Sequence, residues 1–460
     1  MSQLASTFID AYLNGLRLAN ICNTIYLRAF EKAVEEERED AIEATMGGGA
    51  KGTISPNMLE STYNKWLKNV DEGLEVELKS EHFTSLLSRY TQLLLGLRSS
   101  FRQAGYPIDY FDRLFDWYVR STMVFSLIPK ESHLAPFEVI YKKGKMRLLH
   151  YHRHDHSTSK SAKKQQPLLI IYAPINTFHI QDLNPRRSVI RDLLASTGLD
   201  IYLIDWGYPD WDDNLLSLED YLGYVKDAVE VVKDQSKENK ISILGYCWGG
   251  IIALIHASLH PEQVRNLVLM AAPLDSSNDN TILAKWAKTI DLDQMMDELG
   301  HMDGQVLDLA FLMRNPPRYG LDKYLKLFQR SQDREFMDTF VDVERWLYDT
   351  PPIPGVLHRQ IINDCYRNNL LISSSIEITS KEGDSKKQRV DLGKISMPVL
   401  TVIAEKDDLV SPASSTAIND RNTSKDKMIL KNPGGHVALC ISNYAHKKLW
   451  PEVAEWLISR

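Results

Sequence analysis

The sequence predicts an α/β fold, a mostly parallel sheet covered by helices, with an inserted helical cap and a helical N-terminal region. Three observations carry that expectation. From about residue 135 onward, short β-rich apolar runs alternate with helix-length amphipathic segments, the pattern of strands joined by crossover helices. About 120 residues rich in helix formers and aromatics separate the strand ending near Ala272 from the one beginning at Pro398. Before residue 130 the apolar residues recur at helical spacing, with no strand-like run.

Residues 1–130 form the helical region. Phe8, Tyr12, Leu16 and Leu18 mark one amphipathic stretch, and Phe111, Leu114, Phe115 and Tyr118 another. The glycine-rich Met46–Pro56 reads as a flexible connector. Its GGGAKGT lacks the G-K-[ST] setting of a phosphate-binding loop, so no nucleotide site is expected there. The acidic run Glu35–Glu43 reads as a solvated helix face.

Residues 131–460 form the second domain. Phe137–His152 is a strand or hairpin, and further strands follow at Pro167–Ala173, Asp200–Asp205, Ile241–Tyr246, Val264–Ala272, Pro398–Glu405 and Lys425–Lys431. Amphipathic segments such as Ser217–Lys233 supply the crossover helices. The insertion, at about 276–395, makes a cap over the carboxyl edge of the sheet, where open α/β folds bind ligands.

Composition narrows the class. With 460 residues, 43% hydrophobic and 25% charged, the chain is long enough to bury a large core. Its net charge of -7 gives nucleic-acid binding no support. No apolar run approaches the roughly 20 residues that span a bilayer. The opening MSQLASTFIDAYLNGL lacks the basic and apolar stretches of a leader, which predicts an intracellular protein. Cys22, Cys247, Cys365 and Cys440 are too scattered for a disulfide framework or a zinc site.

The chemistry concentrates at Gly245-Tyr246-Cys247-Trp248-Gly249, between an apolar strand and the helix-like run Gly250–Ala257. This is a nucleophile elbow with cysteine as nucleophile: small flanking residues permit a sharp turn that lifts the side chain above the sheet. The backbone N–H of Trp248 then faces the reacting carbonyl as one oxyanion donor. A free thiol has a pKa of about 8.5 and needs a base to react at neutral pH. In the α/β-hydrolase fold the partners follow in the order nucleophile, acid, histidine. Asp407 and Asp408 follow the strand ending at Glu405, and His436 follows the last strand. Either Asp407 or its neighbour Asp408 supplies the acid. The second oxyanion donor belongs to the loop Pro174–Thr177 after an earlier strand, with Ile175 as first choice and Asn176 as second.

These residues, with DLNPRRSVIRDLL (182–194), YLIDWGYPD (202–210), GYCWGG (245–250), RVDLGKISMPVLTVIAEKDDLVSPAS (389–414) and GGHVAL (434–439), resemble polyhydroxyalkanoate synthase catalytic subunits, class III and IV above all. The likeness covers residues 135–460. It implies an α/β-hydrolase fold and an acyltransferase with Cys247, Asp407 and His436 as its triad. It implies that Cys247 is acylated by a 3-hydroxyacyl-CoA, 3-hydroxybutyryl-CoA being the expected monomer, with release of CoA and growth of a polyester. No separate cofactor or metal is implied. The family setting also implies a cytoplasmic location at polyester granules and a homodimer or hetero-oligomer with a second synthase subunit. Two departures stand out: Asp408 occupies the position after the catalytic aspartate where the family usually has histidine, and residues 1–130 exceed the short N-terminus of class III subunits. A thioesterase or intracellular depolymerase on the same fold, and a non-catalytic granule scaffold, are the competing readings.

Three other features have plainer explanations. His150, His152, His154 and His156 alternate, which on a strand puts the imidazoles on one face. Metal binding there is weaker than the reading of a polar strand edge running into Ser157–Lys164. Arg186 and Arg187 could meet phosphates but are commonplace loop cations. Pro351–Leu371, with a buried Cys365, resembles the family's flexible entrance segment within the cap.

Overall fold

The computed structural model describes residues 134–460, apart from 153–164, 197, 290–291, 380–386 and scattered positions within 316–331, together with isolated residues before 70. The chain divides into two compact units, Met1–Phe115 and Asp116–Arg460. The expected helices, glycine connector and acidic run of residues 1–130 lie almost wholly outside the described residues, as do His154 and His156. The main sheet and the strand-end loops that carry the expected triad belong to the second unit.

Eight strands form one sheet: β1 (Phe137–Lys143), β2 (Met146–Tyr151), β3 (Gln166–Ile171), β4 (Leu199–Asp205), β5 (Ile241–Tyr246), β6 (Val264–Met270), β7 (Val399–Ala404) and β8 (Lys427–Asn432). Their order across the sheet is β1-β2-β4-β3-β5-β6-β7-β8. The first two strands are a hairpin closed at Gly144, whose φ of 57 suits the turn. β2 pairs antiparallel with β4, and every later pairing is parallel. The expected mostly parallel α/β sheet is therefore present. Several strands end earlier than their apolar runs, because Tyr172 and Ala173, and likewise Ala271 and Ala272, leave the ladder while remaining buried. Burial keeps these residues apolar, so the pattern could not mark where pairing stops.

β5 and β7 are buried along their whole length, as parallel strands covered by helices on both faces must be. After the short α1 (Val189–Ala195), the helix α2 (Leu218–Ser236) begins in a capping box: Asp220 N–H donates to the Ser217 hydroxyl, and the Asp220 carboxylate accepts from Ser217 N–H. Its Leu218, Tyr221, Leu222, Val225, Val229 and Val232 form the apolar stripe laid on the sheet. α3 (Trp248–Leu259) runs straight on from the elbow and is buried from Trp248 through Ser258. A helix apolar on all sides belongs in the centre of a fold, and its position fixes the elbow above the middle of the sheet.

The strand order makes the switch point explicit. The chain steps outward from β3 to β4, then crosses back to place β5 on the other side of β3. The carboxyl ends of β3 and β5 thus flank a crevice from which loops depart in opposite directions. Between β6 and β7 lie the helices α4 (Ile282–Thr289), α5 (Leu292–Leu299), α6 (Gly304–Met313), α7 (Arg334–Leu347) and α8 (Gly355–Ile361). α8 continues into a π-helical turn at Ile362–Arg367.

The last helix, α9 (Trp450–Ile458), holds the chain end against the site. Trp450 is fully buried, and its indole N–H donates to the Leu439 carbonyl at 2.9 Å, three residues after His436. We expect Trp450→Ala to cost about 3–5 kcal/mol through the cavity it leaves. Urea unfolding should show this as a lower midpoint, with Trp450→Phe losing much less.

Candidate active site

Cys247 follows β5 directly and has φ 53 and ψ -125, a conformation that side-chain-bearing residues rarely adopt. Two backbone bonds hold it there. Its N–H donates to the Met270 carbonyl on β6 at 2.9 Å, and its own carbonyl accepts from Gly250 N–H at 2.9 Å. The surrounding glycines are required by space. A Cβ on Gly249 would lie 2.1 Å from the Ile171 carbonyl oxygen, and one on Gly245 would lie 2.6 Å from the Gly249 carbonyl. The elbow therefore packs backbone on backbone between β3 and α3, and Cys247 is left half-buried at the helix N-terminus, where the dipole favours negative charge.

His436 lies in the loop after β8, and Asp407 in the loop after β7. The two loops are joined by Lys406 N–H donating to the Gly434 carbonyl at 2.9 Å. His436 Nδ1 is 2.7 Å from Asp407 Oδ2, and both side chains are buried. The other carboxylate oxygen, Oδ1, accepts from the N–H groups of Leu409 and Val410 at 2.9 and 3.0 Å. The carboxylate is thereby fixed in orientation and saturated with donors. The imidazole stacks on Tyr246 with ring centroids 5.0 Å apart, which sets it beside the elbow. Burial alone would make His436 less basic. The charge and hydrogen bond of Asp407, followed by the interactions with Cys247, outweigh it and push the pKa up to about 10.

Asp408 turns the other way. Its oxygens meet Arg314 Nε at 3.2 Å, Arg318 Nη1 at 3.6 Å and the Tyr319 hydroxyl at 2.5 Å, all from the segment that begins in α6. Of the two adjacent carboxylates, the structure brings Asp407 to the histidine and gives Asp408 to the cap.

Trp248 opens α3, so its N–H belongs to the helix's unpaired first turn. The loop after β3 reaches the same place because Gly249 packs against the Ile171 and Tyr172 carbonyls. Within that loop Ile175 is half-buried. Asn176 is buried with φ 58, and its side-chain amide donates to the Leu347 carbonyl at 3.4 Å and to the Thr350 hydroxyl. Trp346 Nε1 donates to the Thr177 carbonyl at 2.7 Å. The loop is thus bonded to the C-terminal end of α7.

Sequence reasoning missed Tyr366, Tyr172 and the side-chain role of Trp248. Tyr366 accepts a 2.9 Å hydrogen bond from Trp248 Nε1. Burial, and then the proximity of Cys247, push its phenol well above the ordinary range. Tyr172 is raised in the same way, by burial and by Cys440 and Cys247. Tyr246 and Trp248 were visible as neighbours of Cys247, whereas nothing local in the sequence links Tyr366 to it. Cys365 and Cys440 are buried, which raises both thiols and leaves them poor nucleophiles. Arg186 and Arg187 pair with Asp338 and Glu335 of α7 at 3.2 and 3.0 Å. Among the described residues, Glu138, His150 and His152 have the spacing of metal ligands.

A family model described as the alpha/beta hydrolase fold matches residues 167–440. The chain is 34% identical over 331 residues to the poly(3-hydroxyalkanoate) polymerase subunit PhaC of Allochromatium vinosum, covering 72% of this chain and 90% of that protein. The protein of the same name from Synechocystis is 39% identical over 302 residues, covering 64% and 78%. That of Haloferax mediterranei is 36% identical over 329 residues; the match covers 71% of this chain and 64% of the longer relative.

The raised pKa of His436 sets a pH dependence of stability. Between the unfolded value near 6.5 and the folded value of about 10, the folded chain holds an extra proton at this ring, so stability falls as pH rises. Denaturant titrations should therefore show the advantage of the native chain over His436→Gln complete below pH 6.5 and fading toward pH 10.

Proposed function

The chain belongs to the poly(3-hydroxyalkanoate) polymerase family of α/β-hydrolase-fold proteins, and from that premise we propose that it polymerises 3-hydroxyacyl-CoA, with 3-hydroxybutyryl-CoA as the expected monomer, through an acyl-Cys247 intermediate. The observation that carries the assignment of residues is the 2.7 Å pairing of Asp407 with His436, whose ring stacks on Tyr246, the residue before the elbow cysteine.

In the first half-reaction His436 holds the proton of the Cys247–His436 pair, and Sγ attacks the thioester carbonyl as the thiolate of that pair. The tetrahedral intermediate places its oxyanion at the N–H groups of Trp248 and Ile175, with Asn176 as the alternative to Ile175. A single such donor is worth about 10²–10³ in rate. Collapse breaks the carbon–sulfur bond to CoA, and the departing thiolate receives the proton from His436. Free CoA leaves and acyl-Cys247 remains. A hydroxyl at the end of a hydroxyacyl unit then attacks an acyl-Cys247 thioester, with His436 taking the hydroxyl proton. As the carbon–sulfur bond breaks, that proton returns to the Cys247 sulfur and an ester is formed. Exchange between two thioesters is nearly isoenergetic, so acyl activation is retained until the more stable ester forms. Asp407 keeps Nδ1 of the imidazole occupied and directs Nε2 to the reacting groups.

The cap supports transfer to an alcohol in preference to water. Tyr366 and Trp248 bond to each other across the elbow, and α7 is bonded to the loop that carries Ile175, so water entry and donor geometry depend on one set of contacts. The Pro351–Leu371 segment, which contains α8 and Tyr366, is the element whose movement would admit acyl-CoA and release polymer. Residues 1–130 are assigned as the docking region for a second subunit, a second copy or the granule surface of an intracellular enzyme.

Incubation with 3-hydroxybutyryl-CoA, with and without a partner subunit, should release free thiol and form polyester, and both should vanish in Cys247→Ala. Thiol release with only free hydroxy acid would mean a thioesterase. Asp407→Asn should lower turnover by about 10²–10⁴, while Asp408→Asn, which leaves the triad intact, should stay within about tenfold of the native rate. Equal losses in the two variants would undo the assignment of roles.

A further inference from the structure

At the opposite end of the sheet from Cys247, the β1–β2 hairpin carries a second constellation that the polymerase chemistry does not use. Glu138 and His150 are direct cross-strand partners in the antiparallel ladder. His152 follows two residues later on the same side, and the two imidazoles meet edge to face with centroids 4.6 Å apart. Glu138 Oε1 lies 3.3 Å from His152 Nε2 and 3.7 Å from His150 Nδ1. These distances exceed the 2.7–3.2 Å typical of a good hydrogen bond. The first matches, and the second slightly exceeds, the roughly 3.3–3.6 Å that separates ligand atoms held about 2.0–2.2 Å from one tetrahedral zinc ion.

His150 is also prepared on its far side. Nε2 is 2.8 Å from Asp200 Oδ1, and the ring lies flat on Tyr202, its partner on β4, with centroids 4.3 Å apart and planes 7° from parallel. Asp200 in turn accepts from the Tyr202 hydroxyl at 2.6 Å. A carboxylate bonded to one imidazole nitrogen fixes the tautomer and leaves the other nitrogen's lone pair free for a metal, an arrangement common behind ligating histidines.

We propose that Glu138, His150 and His152 bind a divalent transition metal of the zinc type, with Asp200 as the positioning residue behind His150. Two imidazole nitrogens and one carboxylate oxygen make a borderline donor set suited to zinc, cobalt or nickel, and one coordination position is left for water. The ion would cross-link the edge strand β1 to β2 near the start of β4, stapling the most peripheral part of the sheet.

The test uses the full chain carrying Cys247→Ala, which removes the active-site thiolate as a competing ligand. Equilibrium dialysis against zinc chloride, with bound metal counted by emission spectroscopy, should give one zinc per chain that His150→Gln/His152→Gln abolishes. Affinity should fall at least tenfold in Glu138→Gln and about 10–100-fold in Asp200→Asn, whose side chain touches no metal. Cobalt substitution should produce visible d–d bands of a tetrahedral nitrogen and oxygen site, absent from the double variant. With Cys247 restored, Glu138→Gln should still make polymer, which certifies its fold. Unchanged zinc stoichiometry and affinity in the double variant, or no zinc retained at 100-fold molar excess, would overturn the proposal.

Discussion

The meeting of β3, β5 and α3 at Gly249 is the constraint on which the site depends. With 2.1 Å between a hypothetical Cβ there and the Ile171 carbonyl, the three elements touch through backbone alone. This contact makes the turn after β5 sharp enough to force Cys247 to φ 53, and it brings the loop after β3 beside the first turn of α3. The half-exposure of Cys247, its place at the start of α3 and the meeting of the two loops are therefore consequences of one close approach. The strain at Cys247 is sustained by the Met270 and Gly250 hydrogen bonds and by a central helix buried on every side.

The adjacent carboxylates Asp407 and Asp408 illustrate how backbone direction assigns roles. The first turns both oxygens inward, one to the imidazole and one to the N–H groups of Leu409 and Val410, so its geometry is fully determined. The second points to Arg314, Arg318 and Tyr319 and so ties the acid-bearing loop to the cap. A histidine in that position, usual in the family, could not accept from two guanidinium groups and a phenol. Here the departure from the family pattern coincides with an ionic tether between core and cap.

Among its contacts with the core, the cap is joined to the catalytic floor through Asp408, through Asn176 and Thr177 to α7, and through Trp248 to Tyr366. Each contact ends on a segment that also carries a proposed catalytic group. Cap position and active-site geometry are consequently hard to vary independently. Under the proposed function this coupling is useful, since contacts that order the proposed oxyanion loop would also restrict water at an acyl-Cys247.

Periodicity and punctuation made the sheet, the crossover helices and the elbow legible in the sequence, because each depends on local apolar spacing or on glycines at fixed offsets. Cys247, Asp407 and His436 were nameable for the same reason: each closes a recognisable strand. Strand ends were not, since Tyr172 and Ala271 stay buried after leaving the ladder. The choice of Asp407 over Asp408 rested on the family pattern, because the two differ only in the direction their side chains take, and nothing local announced the arrival of Tyr366 at Trp248 from a distant helix. The alternating histidines could be placed on one face, but Glu138 and Asp200 come to them from neighbouring strands. Sequence by itself determined which residues could form strands, turn and triad, because those properties are local. Only the tertiary structure decided their partners, because strand order and cap packing join residues far apart in the chain.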